Sequence, residues 1–145
     1  MDEDLEIKLQ LESFENMLTL ENYVDMMLKH VLKETNLSLR ECEILMYVYQ
    51  HDQTGTSELA EFFKVTRTLI SVTTGQLMKA QLIQIQPSWN DRRRVDISLT
   101  KTGRRQVVAA KKQITNNLKS MGQNKELLRL ANQIASVSQQ LSELK

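Results

Sequence analysis

Thr56-Ser57-Glu58-Leu59-Ala60-Glu61-Phe62-Phe63-Lys64-Val65-Thr66-Arg67-Thr68-Leu69-Ile70-Ser71-Val72-Thr73-Thr74-Gly75-Gln76-Leu77-Met78-Lys79-Ala80 is the stretch on which the fold turns. Thr56 is suited to cap a short helix from Ser57 to Phe63, because a threonine hydroxyl accepts a hydrogen bond from the free amides of a first helical turn. Glu58 then sits favourably near the positive end of the helix dipole. Lys64-Val65 forms a tight link, and Thr66 caps a second helix running to about Ala80. That second helix is contested by its own residues. Leu69, Ile70, Val72, Thr73 and Thr74 are mostly β-branched and by themselves suggest a strand. Gly75 costs about 1 kcal/mol in a helix interior. The helical reading prevails because Ile70, Thr74 and Leu77 fall on one face, behind a short helix. Arg67, Thr68, Ser71, Val72 and Gln76 then occupy the solvent face.

Downstream, Ile83-Gln84-Ile85-Gln86 alternates as a half-buried strand does, and so does Val95-Asp96-Ile97-Ser98-Leu99. Pro87, Ser88, Asn90 and Asp91 make the turn between them. The result is a hairpin with Trp89, Arg92 and Arg93 at its tip. Thr100 caps a helix to about Ser120, Met121-Gly122-Gln123 breaks it, and a last helix spans about Lys125 to Leu144. That helix has one stripe of Leu127, Leu128, Ala131, Ile134, Val137 and Leu141. Upstream, residues 5–34 read as one long helix with Phe14, Leu18, Val24, Met27, Leu28, Val31 and Leu32 at spacings of three and four. Ser38 and Glu41 make a capping box for a helix to about Gln50, with Ile44, Leu45 and Val48 inward. His51-Asp52-Gln53-Thr54-Gly55 is a polar turn.

The predicted fold is mainly α, a winged helix-turn-helix with a two-stranded β wing, flanked by long N- and C-terminal dimerisation helices. Its parts are residues 1–36, the N-terminal dimerisation helix; 37–100, the winged helix-turn-helix; and 101–145, the C-terminal helices completing the dimerisation region. The terminal apolar stripes, at 14–32 and 127–141, exceed what one small winged domain covers, which argues for a homodimer.

The 145 residues carry a net charge of only +1, but the charge is divided along the chain. Residues 1–63 have four Lys/Arg against fourteen Asp/Glu, residues 64–105 nine against two, and residues 106–145 six against two. A basic segment inside a neutral protein is the electrostatic footprint of a nucleic-acid site. With hydrophobic residues at 41% and charged residues at 26%, the composition is that of an ordinary globular domain, and four Gly and one Pro leave little room for long linkers. No stretch reaches the ~18 apolar residues of a membrane span. Met1-Asp2-Glu3-Asp4 lacks the basic start of a signal peptide, and the single Cys42 makes no internal disulfide. The expected location is therefore cytoplasmic.

Three features together point to double-stranded DNA as partner. A short helix, tight link and second helix is the geometry that lays the second helix in a major groove. Its solvent face offers Thr66, Arg67, Thr68, Ser71, Val72 and Gln76, short donors and acceptors with apolar groups suited to base edges and thymine methyls. Arg92, Arg93 and Arg94 lie at or beside the hairpin tip, where an arginine can enter a narrow minor groove. Lys64, Lys79, Lys101, Arg104 and Arg105 are suited to neutralise phosphates.

At these residues the sequence resembles the MarR family of winged-helix transcriptional regulators. Glu58-Leu59-Ala60-Glu61-Phe62-Phe63-Lys64-Val65-Thr66 looks like the opening of that family's helix-turn-helix. Asp91-Arg92-Arg93 with Val95-Asp96-Ile97-Ser98-Leu99-Thr100-Lys101-Thr102-Gly103 looks like its wing and the start of the next helix. The strong resemblance covers about residues 39–105. It implies a homodimer with interlocked first and last helices, recognition helices in major grooves, and wings in adjacent minor grooves. It also implies release of DNA when a small-molecule effector binds between the dimer helices and the winged domain. Arg93 would be the minor-groove arginine, and Asp91 would position the wing by pairing with an arginine. Four positions depart from the family pattern. Val72 and Gln76 stand where arginines are frequent, Gln81 stands where a glycine usually ends the recognition helix, and Trp89 is foreign to the wing.

Other chemistry finds less support. Glu41 and Glu43 flank Cys42 and oppose a reactive thiolate, so Cys42 reads as buried structure. His30 and His51, with no second cysteine and no i,i+4 histidine pair, make a poor zinc site, and no metal or cofactor is expected. The methionines, including Met17, Met26 and Met27, read as core and interface fillers, leaving effector residues unknown. The sequence has no phosphate-cradling Gly-rich loop, no HExxH and no GxSxG, so no catalytic residues are assigned. The alternatives to a DNA-binding repressor are a winged-helix protein-interaction module and, more distantly, a catalytic domain on a helical scaffold.

Overall fold

The computed structural model describes residues 2–120 and 125–143. The element order is α1 (Glu3–Leu32), α2 (Leu39–Gln50), α3 (Thr56–Phe63), α4 (Arg67–Lys79), β1 (Ile83–Pro87), β2 (Val95–Leu99), α5 (Lys101–Ser120) and α6 (Lys125–Glu143). The winged-helix reading thus holds element by element, with ends moved by at most two residues. The break expected at Met121-Gly122-Gln123 and the end at Leu144 lie outside the described residues, as do the side chains of Leu127 and Leu128. Among the described residues no helix is long and apolar enough to cross a membrane.

Local chemistry accounts for most of the helix ends. The Ser38 hydroxyl accepts from the Glu41 amide at 3.2 Å, and the Glu41 carboxylate accepts from the Ser38 amide at 3.0 Å, the reciprocal box read from the sequence. Thr66 caps α4, its hydroxyl accepting from the Leu69 amide at 3.1 Å. Lys64, at φ 55°, makes the sharp left-handed turn between α3 and α4. At the other end of α4, Leu82 N–H donates to Leu77 O at 3.0 Å and Gln81 N–H donates to Met78 O at 2.9 Å. That is a Schellman closure, with Gln81 at φ 60° in the place usually taken by glycine, a strain of roughly 1 kcal/mol.

One cap differs from expectation. Gly55, not Thr56, caps α3, and it does so without a side-chain bond. The cause lies in the residue before it. Thr54 pairs with Ile97 of β2 through Thr54 N–H to Ile97 O (3.2 Å) and Ile97 N–H to Thr54 O (2.8 Å), which holds the chain extended up to Gly55. Thr56 is already helical when it leaves that bridge.

The core lies between α2, α3, α4, the sheet and the first half of α5. Ile44, Leu45, Leu59, Ile70, Leu77 and Ile97 are almost completely buried, each worth about 1.5–3 kcal/mol of removed apolar surface. Ile70, Thr74 and Leu77 face inward together as their spacing requires, and the Thr73 and Thr74 hydroxyls return to the Leu69 and Ile70 carbonyls at 2.9 and 2.8 Å. β1 and β2 pair antiparallel, Ile83 with Leu99, Ile85 with Ile97 and Pro87 with Val95. Val107 of α5 closes the core from the far side.

The first two thirds of α1 make a different picture. Leu5, Ile7, Leu9, Leu11, Phe14 and Leu18 are all exposed, and Val31 alone in this helix is buried. Asn117 of α5, itself buried, donates to the Val31 carbonyl at 2.9 Å and so caps the end of α1 across the fold. Between α1, the end of α5 and α6 runs an apolar groove of about 290 Å³, with Tyr23, Met27, Leu28, Leu118, Leu130 and Ile134 in its walls. Of the methionines singled out from the sequence, Met27 lines this groove, while Met17 and Met26 are exposed.

Candidate nucleic-acid interface

Every sequence-derived candidate on α4 is exposed: Thr66, Arg67, Thr68, Ser71, Val72 and Gln76. Their helical spacing puts Arg67, Ser71 and Thr68, Val72, Gln76 on neighbouring rows of one face. Val72 is 55% exposed, so it does not pack inward as a β-branched residue in a small domain otherwise would. Thr66 is less free than its neighbours because its hydroxyl is committed to the Leu69 amide. The face is nearly uncharged, with Arg67 at its start and Lys79 at its end.

The wing is built by its own backbone. Ser88 N–H donates to Arg94 O at 2.9 Å, closing the strands, and Arg94 N–H donates to Asp91 O at 3.0 Å, making the turn. The Asp91 carboxylate accepts from the Arg93 amide at 2.9 Å. Asp91 therefore meets Arg93 through the peptide and not through the guanidinium expected from the resemblance, because the turn brings the Arg93 N–H within reach two residues along the chain. All three guanidinium-bearing side chains, Arg92, Arg93 and Arg94, remain exposed.

The structure joins the two candidate groups. A cleft of about 580 Å³ runs between the start of α4 and the wing, with Arg67 and Ser71 on one wall and Arg93 and Arg94 on the other. Glu58 and Glu61 of α3 and Asp96 of β2 also line it, and the sequence reading did not place them there. Their signal was weak. Glu58 had a sufficient local role at the start of α3, and nothing local brings Asp96 to the same cleft. The three carboxylates share the cleft with the arginines and limit where a phosphate is welcome. Glu58 also acts on Tyr47, whose phenol is held above its ordinary value by burial first and then by the charge of, and hydrogen bond to, Glu58.

The other titratable candidates stay apart from this site. Cys42 is buried, its Sγ 3.6 Å from Met46 Sδ, and its thiol is pushed up, by burial first and then by the charge of Glu43. His51 stacks on Tyr47, with ring centroids 4.2 Å apart, and sits on the Tyr47 carbonyl at 3.0 Å. Among the described residues no group of three or more His, Cys, Asp or Glu is placed to hold a metal ion.

Comparison with known proteins agrees with this geometry. The sequence profile of the MarR family matches residues 37–95. No curated protein matches the chain. Among solved structures, the transcriptional regulator BldR from Sulfolobus solfataricus is 25% identical, with a TM-score of 0.66 over 94% of this chain and 99% of its own. FabT of Streptococcus pneumoniae, solved in complex with DNA, is 20% identical, with a TM-score of 0.68 over 94% and 99%. AbfR, solved in an overoxidized form bound to DNA, is 12% identical, with a TM-score of 0.76 over 99% and 100%. The MarR family match lies over the helix-turn-helix and ends at Val95, the first residue of β2, and these solved structures share the architecture of the whole chain, flanking helices included.

Proposed function

We propose that the protein is a cytoplasmic, sequence-specific DNA-binding transcriptional regulator. In this reading it binds an inverted-repeat operator as a homodimer, represses from it, and releases it when a small molecule binds. The observation that carries the reading is the shared cleft, which puts the exposed face of α4 and the arginines of the wing on one side of the molecule. A helix presented beside a cationic hairpin suits a major groove and the minor groove next to it. The DNA-bound structures of FabT and AbfR, which share the fold, support DNA as the partner. Thr66, Arg67, Thr68, Ser71, Val72 and Gln76 are assigned to the major groove. Arg92, Arg93 and Arg94 are assigned to the minor groove and its phosphates, with Asp91 shaping the turn that presents them.

The homodimer is supported by the apolar residues that one copy leaves in water along α1 and α6, Leu5, Phe14, Leu18, Val137 and Leu141 among them. Residues 1–36 and 101–145 are assigned to dimerisation and 37–100 to DNA, with the first half of α5 shared through Val107. Two recognition helices then address half-sites roughly 34–36 Å apart. Selection from a random pool of duplex DNA at physiological salt tests the reading. An enriched inverted repeat with half-sites one helical turn apart is the expected result. Absence of enrichment, with only weak and salt-sensitive binding, overturns it.

A further inference from the structure

Trp89 is the only tryptophan of the chain, and at 94% exposure it is the most exposed large apolar side chain among the described residues. A full indole in water is costly, and a surface loop tolerates almost any polar residue in its place. Among the described residues it stacks on no other ring and under no cation, although Tyr47, Tyr49, Phe62 and Phe63 all do one or the other. Its position is set by the wing. Pro87 ends β1, the Ser88–Arg94 hydrogen bond closes the strands behind it, and the Asp91 turn returns the chain at once. Trp89 therefore stands at the tip of the hairpin, with Arg92, Arg93 and Arg94 within five residues and also exposed.

We infer that Trp89 is an apolar wedge that enters the minor groove at the wing contact and opens a base step there, while the neighbouring arginines hold the flanking phosphates. The inference rests on the DNA-binding reading above and adds to it a residue, a mode of contact and a sequence preference. The chemistry is the pairing of a flat apolar group with cations on one hairpin. Apolar wedges between base steps unstack them partly and bend the duplex away from the wedge, and positive charge fixes the backbone that flanks the opening. The occupant is duplex DNA because the charges around the indole are all positive at the tip, apart from Asp91, whose carboxylate is committed to the Arg93 amide. An apolar protein partner would face the same three cations and gain nothing from them. Pyrimidine–purine steps are the easiest to unstack, so each half-site carries such a step at a fixed distance outside the major-groove contacts.

The single tryptophan supplies its own reporter. With duplexes enriched from the random pool, binding of the wild-type protein shields Trp89 from acrylamide quenching. It also brings fluorophores on the two duplex ends closer together as the duplex bends. Trp89→Ala binds the same duplexes about tenfold more weakly and bends them less. Repeating the selection with Trp89→Ala loses the flanking pyrimidine–purine step but keeps the inverted repeat. Trp89→Phe retains part of the bend. If wild-type protein binds its selected duplex while Trp89 stays as open to acrylamide as in free protein, the wedge is refuted and the regulator reading stands. If Trp89→Ala retains full affinity and full bending, the wedge is refuted in the same way. If wild-type protein binds no duplex at all, the regulator reading falls and takes this inference with it.

Discussion

Two glycines in two helices lead to opposite expectations for the same substitution. Gly103 lies in the first turn of α5, against Leu82 in the link between α4 and β1. A Cβ built there comes 1.8 Å from Leu82 O, 2.8 Å from Leu82 C and 3.2 Å from Leu82 Cα. These are backbone atoms and cannot rotate aside. Leu82 is also fixed at both ends, its N–H on Leu77 O at 3.0 Å and its carbonyl accepting from Thr100 N–H at 3.1 Å. Thr100 in turn caps α5, accepting from Gly103 N–H at 2.9 Å and donating to Gln81 O at 2.6 Å. Gly103→Ala therefore separates α5 from the α4 closure by more than an ångström or deforms both. Forced overpacking costs about 1–3 kcal/mol, and weakening the Thr100–Leu82 bond adds about 1 kcal/mol. The better helix propensity of alanine offsets up to about 1 kcal/mol of this. The net loss is about 2 kcal/mol, a fall in melting temperature of about 6–8 °C for a chain of this size. Gly75, in the middle of α4, is the internal control. A Cβ there meets nothing within 4 Å, and Gly75→Ala gains about 0.5–1 kcal/mol. Urea unfolding followed by circular dichroism, at one fixed protein concentration so that dimerisation does not shift the midpoint, compares the two. A Gly103→Ala protein as stable as the parent, or as Gly75→Ala, would refute the close approach of α5 to Leu82.

Three further outcomes follow from other parts of the structure. Arg93→Ala lowers affinity for every duplex by a similar factor and reduces the slope of log affinity against log salt by about 1, read from titrations at several salt concentrations; an unchanged slope removes Arg93 from the phosphate contacts. Asn117→Ala leaves the buried Val31 carbonyl unmet and costs about 1–3 kcal/mol in the same urea assay, which a loss under 0.5 kcal/mol contradicts. Cys42, its thiol pushed up by burial and by Glu43, reacts with a maleimide at pH 8 more slowly than free cysteine. Because the unfolded chain gives up that proton first, the Cys42 contribution to stability is complete below the ordinary thiol range and declines as pH rises through and above it. A reaction rate equal to that of free cysteine would show the thiol to be open to solvent.

The elements were legible in the sequence wherever the deciding chemistry sits within three or four residues. The Ser38–Glu41 box and the Thr66 cap involve partners that close along the chain, so the residue types are enough. The inward row of Ile70, Thr74 and Leu77 settled α4 against its β-branched composition, because burial of one helical face outweighs a propensity difference of a few tenths of a kcal/mol per residue. The basic wing and the exposed face of α4 were readable for the same reason: charge and periodicity are properties of the chain itself.

What only the tertiary structure decided depends on residues far apart in sequence. Thr54 is drawn to Ile97, which moves the α3 cap from Thr56 to Gly55. Asn117 reaches back 86 positions to Val31 and ends α1. Glu58, Glu61 and Asp96 arrive in one cleft with Arg67 and Arg93 because α3, α4 and the wing converge there. A cap or a helical face is set by local spacing, whereas these pairings depend on which distant segments the closed core brings together, and no spacing along the chain encodes that.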